Sequence, residues 1–85
     1  MLNERNGMGV EIYENSNFYV GGFAASRREG IGRMVWVNRT AQGTTYQYYT
    51  GSWKEGEPHG SGLHSTETWT FVGSFKQGMR YGKGI

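Results

Sequence analysis

Four glycine pairs punctuate this chain: Gly7/Gly9, Gly30/Gly32, Gly60/Gly62 and Gly82/Gly84. Closely spaced glycines let backbone amides approach a phosphate, so nucleotide binding is the first chemistry to weigh. That motif needs a third glycine and a following helix, and neither accompanies these pairs. His59 and His64, with Glu57, suggest a metal site. Such a site needs three or four converging ligands. His59 falls in a glycine-rich turn and His64 in a strand-like stretch beyond it, so nothing in the spacing makes them converge. No serine has an evident His and acid partner for nucleophilic attack. Glu11, Glu14, Glu29, Glu55, Glu57 and Glu67 are scattered over strand-like and turn-like segments and read as solvated. The residues therefore specify no catalytic group, no cofactor and no metal set.

The basic residues are the remaining candidates. Nine Lys/Arg stand against seven Glu, a net charge of +2. Arg27, Arg28 and Arg33 lie close together, as do Lys76, Arg80 and Lys83. Their plainest role is solubility and protection of strand edges. A functional role would be contact with anionic lipid head groups or an acidic protein. Nucleic acid is not expected, because base stacking needs exposed aromatics, and the aromatics here occupy packing positions.

What positions these residues is a repeat. "YTGSWKEGEPHGSG" (49–62) aligns with "FVGSFKQGMRYGKG" (71–84) and with "YVGGFAASRREGIG" (19–32). Tyr49, Gly51, Trp53, Gly56, Gly60 and Gly62 meet Phe71, Gly73, Phe75, Gly78, Gly82 and Gly84. In the first copy Tyr19, Gly21, Phe23, Gly30 and Gly32 correspond, with Ser26 at the turn-glycine position. Gly7 and Gly9 open the chain as a half copy. The pattern Y-x-G-x-W-x-x-G-x-x-H-G-x-G resembles the MORN (membrane occupation and recognition nexus) repeat. The second full copy, with His59, matches at every position, whereas Glu29 and Tyr81 replace the histidine in the others. The resemblance runs from about Asn6 to Ile85. It implies one domain over 1–85, with a half repeat at about 6–18 and repeats at about 19–48, 49–70 and 71–85.

Elementary stereochemistry agrees. Tyr49, Gly51 and Trp53 share parity and face one side of a strand, while Thr50, Ser52 and Lys54 face the other. Gly51 leaves its backbone open to a neighbouring ring. Lys54 to His59 form the turn, with Gly56 at positive φ and Pro58 supplying no donor. The second strand then opens at Gly60/Gly62. Each repeat is a β-hairpin, and the hairpins stack into an all-β, single-layer, twisted antiparallel meander of about seven strands. The expected strands are Met8–Tyr13, Phe18–Ala24, Ile31–Val37, Tyr46–Trp53, Gly62–Thr66, Trp69–Phe75 and Gly82–Ile85. The step from the first full copy to the second is 30 residues and the next is 22. The excess falls in "VNRTAQGTTYQYY", read as a longer loop around Gln42 and Gly43. "AASRREG" is the one stretch that suits either a turn or a short helical turn.

Composition limits the rest. Only 35% of residues are hydrophobic, while 13 are aromatic (3 Trp, 6 Tyr, 4 Phe). Each ring buries roughly 150–250 Å², which suits a thin sheet with an aromatic stripe and not a core around a deep cavity. There is no cysteine, so neither disulfides nor thiolate metal sites form. The longest apolar run, Met34 to Val37, is far below the ~20 residues of a membrane span. The opening "MLNERNG" lacks a signal-peptide core. A cytoplasmic location is expected, and "NRT" at 38–40 then carries no glycan. The strands near each end, Met8–Tyr13 and Gly82–Ile85, are expected to expose unpaired edges that seek a partner. The resemblance implies a non-catalytic scaffold that binds other proteins of a large assembly, cytoskeletal or ciliary (axonemal, radial-spoke-like). Its alternatives are a phosphoinositide or anionic-membrane module, or the regulatory part of a larger enzyme.

Overall fold

A computed structural model describes residues 5–82 of the chain. Lys83, Gly84 and Ile85, and with them most of the expected last strand, lie outside the described residues. Alternation of large and small side chains has been converted into strands throughout. These are β1 (Gly7–Ile12), β2 (Phe18–Ala24), β3 (Arg27–Thr40), β4 (Gly43–Lys54), β5 (Glu57–Ser65), β6 (Thr70–Lys76) and β7 (Met79–Tyr81). They form one antiparallel sheet in the order β1-β2-β3-β4-β5-β6-β7, with no helix among the described residues. The sheet measures 46 × 34 × 16 Å, a single layer.

Its core is a stripe on one face. Tyr19, Phe23, Met34, Tyr49, Trp53 and Phe75 are buried, with Tyr13, Trp36 and Phe71 packed against them. The rings meet edge to face in an unbroken series: Phe23–Tyr19, Tyr19–Trp53, Trp53–Tyr49, Tyr49–Phe75 and Phe75–Phe71, at centroid distances of 4.8–5.5 Å. Each such pair adds about 0.5–1.5 kcal/mol beyond the area it buries. Single-layer burial is possible because Tyr19 and Tyr49 lie flat on glycine. A Cβ at Gly32 or Gly62 would fall inside the Tyr19 or Tyr49 ring. The hydroxyls then reach the backbone: Tyr19 donates to Gly22 O at 2.9 Å and Tyr49 to Ser52 O at 2.8 Å. Burial pushes the Tyr49 phenol up to about 12 and raises Tyr19 as well.

The hairpin ends differ from expectation in a systematic way. Each turn takes only two residues: Ala25–Ser26, Glu55–Gly56 and Gln77–Gly78, with positive φ at both positions (50–63°, 51–86° and 52–82°). This is the tight turn whose twist matches that of the flanking strands. The following strand therefore starts at once, at Arg27, Glu57 and Met79, and not at the glycine pair. Pro58 sits in β5 opposite Trp53, not in the turn. "AASRREG" is strand, turn and strand. Gly30 and Gly60, the first glycines of the two middle pairs, instead sit in bulges. Three residues, His59 to Ser61, face Ser52 between the pairs Gly51↔Gly62 and Trp53↔Pro58, and Gly60 takes φ 91°. The 30-residue step also resolves differently. The expected long loop is two long strand arms that reverse at Ala41–Gln42, paired out to Thr40↔Gly43. Thr40 Oγ1 closes that turn, accepting from Gln42 N at 3.2 Å and donating to Gly43 O at 2.9 Å.

Successive hairpins are locked at their turns. Ser26 N donates to Arg5 O, Gly56 N to Arg28 O and Gly78 N to Pro58 O, at 2.9–3.0 Å. Each turn thus rests on the strand of the repeat before it.

The ring-on-glycine contact sets a clear expectation. Gly62→Ala should cost about 1–3 kcal/mol, the usual cost of overpacking, because Tyr49 cannot yield without breaking its bond to Ser52. Ser61→Ala, one residue away and exposed, should stay within about 0.5 kcal/mol of the parent. Urea unfolding of the two variants checks this, and equal midpoints would contradict it.

Candidate functional site

The two faces of the sheet offer different chemistry. On the aromatic face, polar groups are consumed by the structure itself. Trp53 Nε1 donates to Gly32 O at 3.0 Å. Arg28 lies 5.2 Å over the Trp53 ring and donates through Nε (3.1 Å) and Nη2 (2.9 Å) to Gly56 O, and through Nη1 (3.0 Å) to the Tyr13 hydroxyl. Arg5, at the equivalent position, lies 5.2 Å over Phe23 and 3.3 Å from Glu11. Arg80, the third arginine at this position, lies over Trp69 and Phe71.

The basic residues singled out from the sequence are therefore not brought together. Arg28 and Arg80 are on the aromatic face and in use there. Arg33 is on the opposite face, bonded through Nε to Thr50 Oγ1 at 2.8 Å and stacked 4.8 Å over Tyr48. Arg27, paired with Ala24, shares that face near the turns. Lys76 shares it too, 5.4 Å over the Tyr81 ring. Lys83 lies outside the described residues.

The histidines are likewise separated. Register and alternation put His64, opposite Tyr49, on the aromatic face and His59 on the other. His59 is half-buried in a shallow depression with Arg27, Lys54, Glu55, Glu57 and Gln77. His64 stands between Trp36 and Trp69, at centroid distances of 5.9 and 5.0 Å, with Nε2 3.0 Å from Gln47 Oε1. Burial, and then the positive charge of Arg80, lower its pKa. Among the described residues no three His, Cys, Asp or Glu side chains come together as a metal site would require. A depression of about 480 Å³ is open and lined by Trp36, Gln47, Glu67 and neighbours, with Glu67 its sole acid.

The remaining glycines and aromatics of the repeat take these places. Gly21 and Gly51 lie Cα against Cα with Gly32 and Gly62, so that a Cβ at Gly51 would come within 2.5 Å of Gly62 Cα. Gly73 pairs with Gly62 on the far side of β5. Gly78 and Gly82 take φ of 82° and 69°.

The opposite face carries a feature that the repeat pattern concealed. Met8, Val10 and Ile12 on β1 are 79%, 58% and 75% exposed, and Val20 and Ile31 beside them are 42% and 65% exposed. The register joins them into one patch: Val10↔Val20, and Ile12↔Phe18↔Val35. The signal was present in the sequence, because Met8, Val10 and Ile12 alternate with Gly9 and Glu11 and so share the side away from the glycine pair. Toward β5 the same face turns polar, with Ser52, Ser61 and Ser74 in one row. Beyond that row Val72, Met79 and Tyr81, on β6 and β7, are exposed on the same face.

The MORN repeat family model matches residues 2–18, 19–41, 49–69 and 71–85, and the chain belongs to this family. MORN repeats are found in modules that engage proteins and membranes. No helix among the described residues is long and apolar enough to cross a membrane.

Two measurements probe the aromatic face. Arg28→Ala should cost about 1.5–3 kcal/mol, the range for hydrogen bonds to a charged group. Arg27→Ala, one residue away and exposed, should be near neutral. For His64, the depressed folded-state pKa means that the unfolded chain takes up the proton first. Stability should therefore be level above about pH 6.5, the ordinary histidine value, and decline as pH falls below it toward the folded pKa. His64→Gln should flatten that part of the urea-midpoint profile, and an unchanged slope would refute the assignment.

Proposed function

We propose that this chain is a non-catalytic interaction module, a structural subunit or scaffold of a cytoskeletal or ciliary assembly. The observation that carries the proposal is the exposed apolar patch of Met8, Val10, Ile12, Val20 and Ile31 on one face of the sheet. Contiguous exposed apolar surface marks an interaction site. The remaining features agree with this role. Chemistry-bearing side chains are dispersed over two faces, and the depressions are shallow and open. The sheet is a stiff plate, held by ring contacts and turn-to-strand bonds, that can present one surface without reorganising. Family membership supports interaction as the general role, and the choice of a cytoskeletal or ciliary setting follows the resemblance to scaffold proteins built from such repeats.

The membrane alternative would depend on a concentrated basic surface. Arg27, Arg33, Lys54 and Lys76 do share the patch face, with Glu57 opposite Lys54. Arg28 and Arg80 are committed to aromatic rings on the other face.

Tagged chain in cells should sediment with the detergent-insoluble cytoskeletal or axonemal fraction. Val10→Lys with Ile31→Lys should move it to the soluble fraction without lowering its melting temperature. A parent chain that stays soluble, or that floats with anionic liposomes in the absence of protein, would overturn the scaffold reading.

A further inference from the structure

We infer that the depression over Trp36 is a docking site for an arginine side chain of a partner polypeptide. It lies on the aromatic face, apart from the apolar patch, and goes beyond the reading built on that patch.

The site exists because the β3–β4 hairpin outruns its neighbours. β3 leaves β2 after Val35↔Phe18 and β4 leaves β5 after Tyr48↔Ser65, yet the two stay paired out to Thr40↔Gly43. Trp36↔Gln47 and Asn38↔Thr45 keep the parity of Met34↔Tyr49, so their side chains are on the aromatic face. They make the floor. Asn17, from the β1–β2 connection, stands on one side, and the 66–68 turn with Glu67 stands on the other. Both walls are pinned. Asn17 Oδ1 accepts Val37 N at 2.8 Å, and Thr66 N donates to Trp69 O at 2.8 Å. All these elements are internal to the chain.

The depression has one sign of charge. Glu67 is its sole charged lining residue, in a chain of net charge +2. Its Oε2 accepts Tyr46 N at 3.4 Å, a long bond, and no Lys or Arg pairs with it among the described residues. A tryptophan ring and a carboxylate lining one depression both attract a cation.

The other ring contacts indicate which cation fits. Arg28 lies 5.2 Å over Trp53, and Arg80 lies 5.0 Å over Trp69. Arg33 lies 4.8 Å over Tyr48 while it donates to Thr50 Oγ1. Among the described residues Trp36 is the one tryptophan with no Lys or Arg over its ring. A guanidinium offers a flat face to a ring and N–H groups in its plane to a carboxylate, which an ammonium does not.

The depression is too open to enclose a free guanidino compound, but it adjoins a strand edge. Val37 N and Tyr46 N bond to side chains of the flanking connections, so both point away from the paired strand. Thr44 belongs to the same outward set as Tyr46. An extended segment along this part of β4 gains main-chain bonds while its arginine enters the depression.

The test titrates the isotopically labelled 85-residue chain with acetyl-Thr-Arg-Thr-amide at fixed ionic strength, followed by NMR. The Trp36 indole N–H and the amides of Gln47, Glu67 and Thr68 should shift together. The same peptide with citrulline, neutral and of equal size, should shift them about fivefold less. Glu67→Gln should weaken the arginine response about threefold, as loss of an exposed ion pair would. Trp36→Leu should abolish it. Trp36 also packs against the core, so the exposed Glu67 variant carries the test if the Trp36 variant unfolds. Equal shifts with citrulline, an unaltered response in Glu67→Gln, or shifts centred on other acids would overturn the inference. So would maltose moving these resonances where the arginine peptide does not, since that marks a saccharide site.

Discussion

The structure depends on a tyrosine ring lying flat on a glycine. A sheet with no second layer has nothing to bury an aromatic side chain against except itself. Tyr19 over Gly32 and Tyr49 over Gly62 solve this by lowering the ring into the space where a Cβ would stand. The two tyrosines reach 0% and 1% exposure in a sheet 16 Å thick. Once flat, each tyrosine presents its edge and face to Phe23, Trp53 or Phe75, so the rings form a continuous series. Gly32 and Gly62 are thus one half of a packing contact whose other half is the tyrosine thirteen residues earlier in sequence.

This arrangement makes the faces unequal. The ring series takes up aromatic surface on one face and recruits Arg5 and Arg28 as covers. Cation–π contacts are worth about 0.5–2 kcal/mol depending on desolvation, and here they are combined with backbone hydrogen bonds from the Arg28 guanidinium and with an ion pair from Arg5 to Glu11. The other face receives none of this support. Its apolar side chains on β1 to β3 remain exposed, although they have the β-branched character that a buried partner would exploit. The asymmetry explains why the buried core lies on one face alone.

Much of this was legible in the sequence. The repeat gave the all-β meander, its seven strands and the shared parity of Tyr49, Gly51 and Trp53. The misplaced boundaries share one cause. Positive φ at Gly56 was foreseen, but Glu55 also adopts it, at 51°, and a non-glycine residue gives no such warning. Two positive φ values in a row close the turn in two residues, so β5 begins three residues before Gly60. Nor does spacing reveal that Arg28 serves Gly56 and Trp53. Arg27 and Arg28 are indistinguishable in the chain, and only the register places one under the rings. The apolar patch was encoded by simple alternation, but the larger aromatic signal dominates the same residues.

The unequal repeat steps follow from the same register. The glycines Gly21↔Gly32 and Gly51↔Gly62 must stay opposed, since a Cβ at Gly21 or Gly51 would strike the facing Cα, and Gly51 and Gly62 are in turn opposed to Gly32 and Gly73. Added residues are tolerated only if they are shared between the two arms beyond that point. From Met34↔Tyr49 pairing runs on to Thr40↔Gly43, whereas from His64↔Phe71 it reaches only Ser65↔Thr70. The longer step therefore lengthens one hairpin at its far end and leaves the aromatic series undisturbed. An odd insertion confined to one arm would turn Tyr49 to the opposite face, away from Gly62, and break the contact on which the sheet rests. The period of the repeat can vary, but the opposition of its glycines cannot.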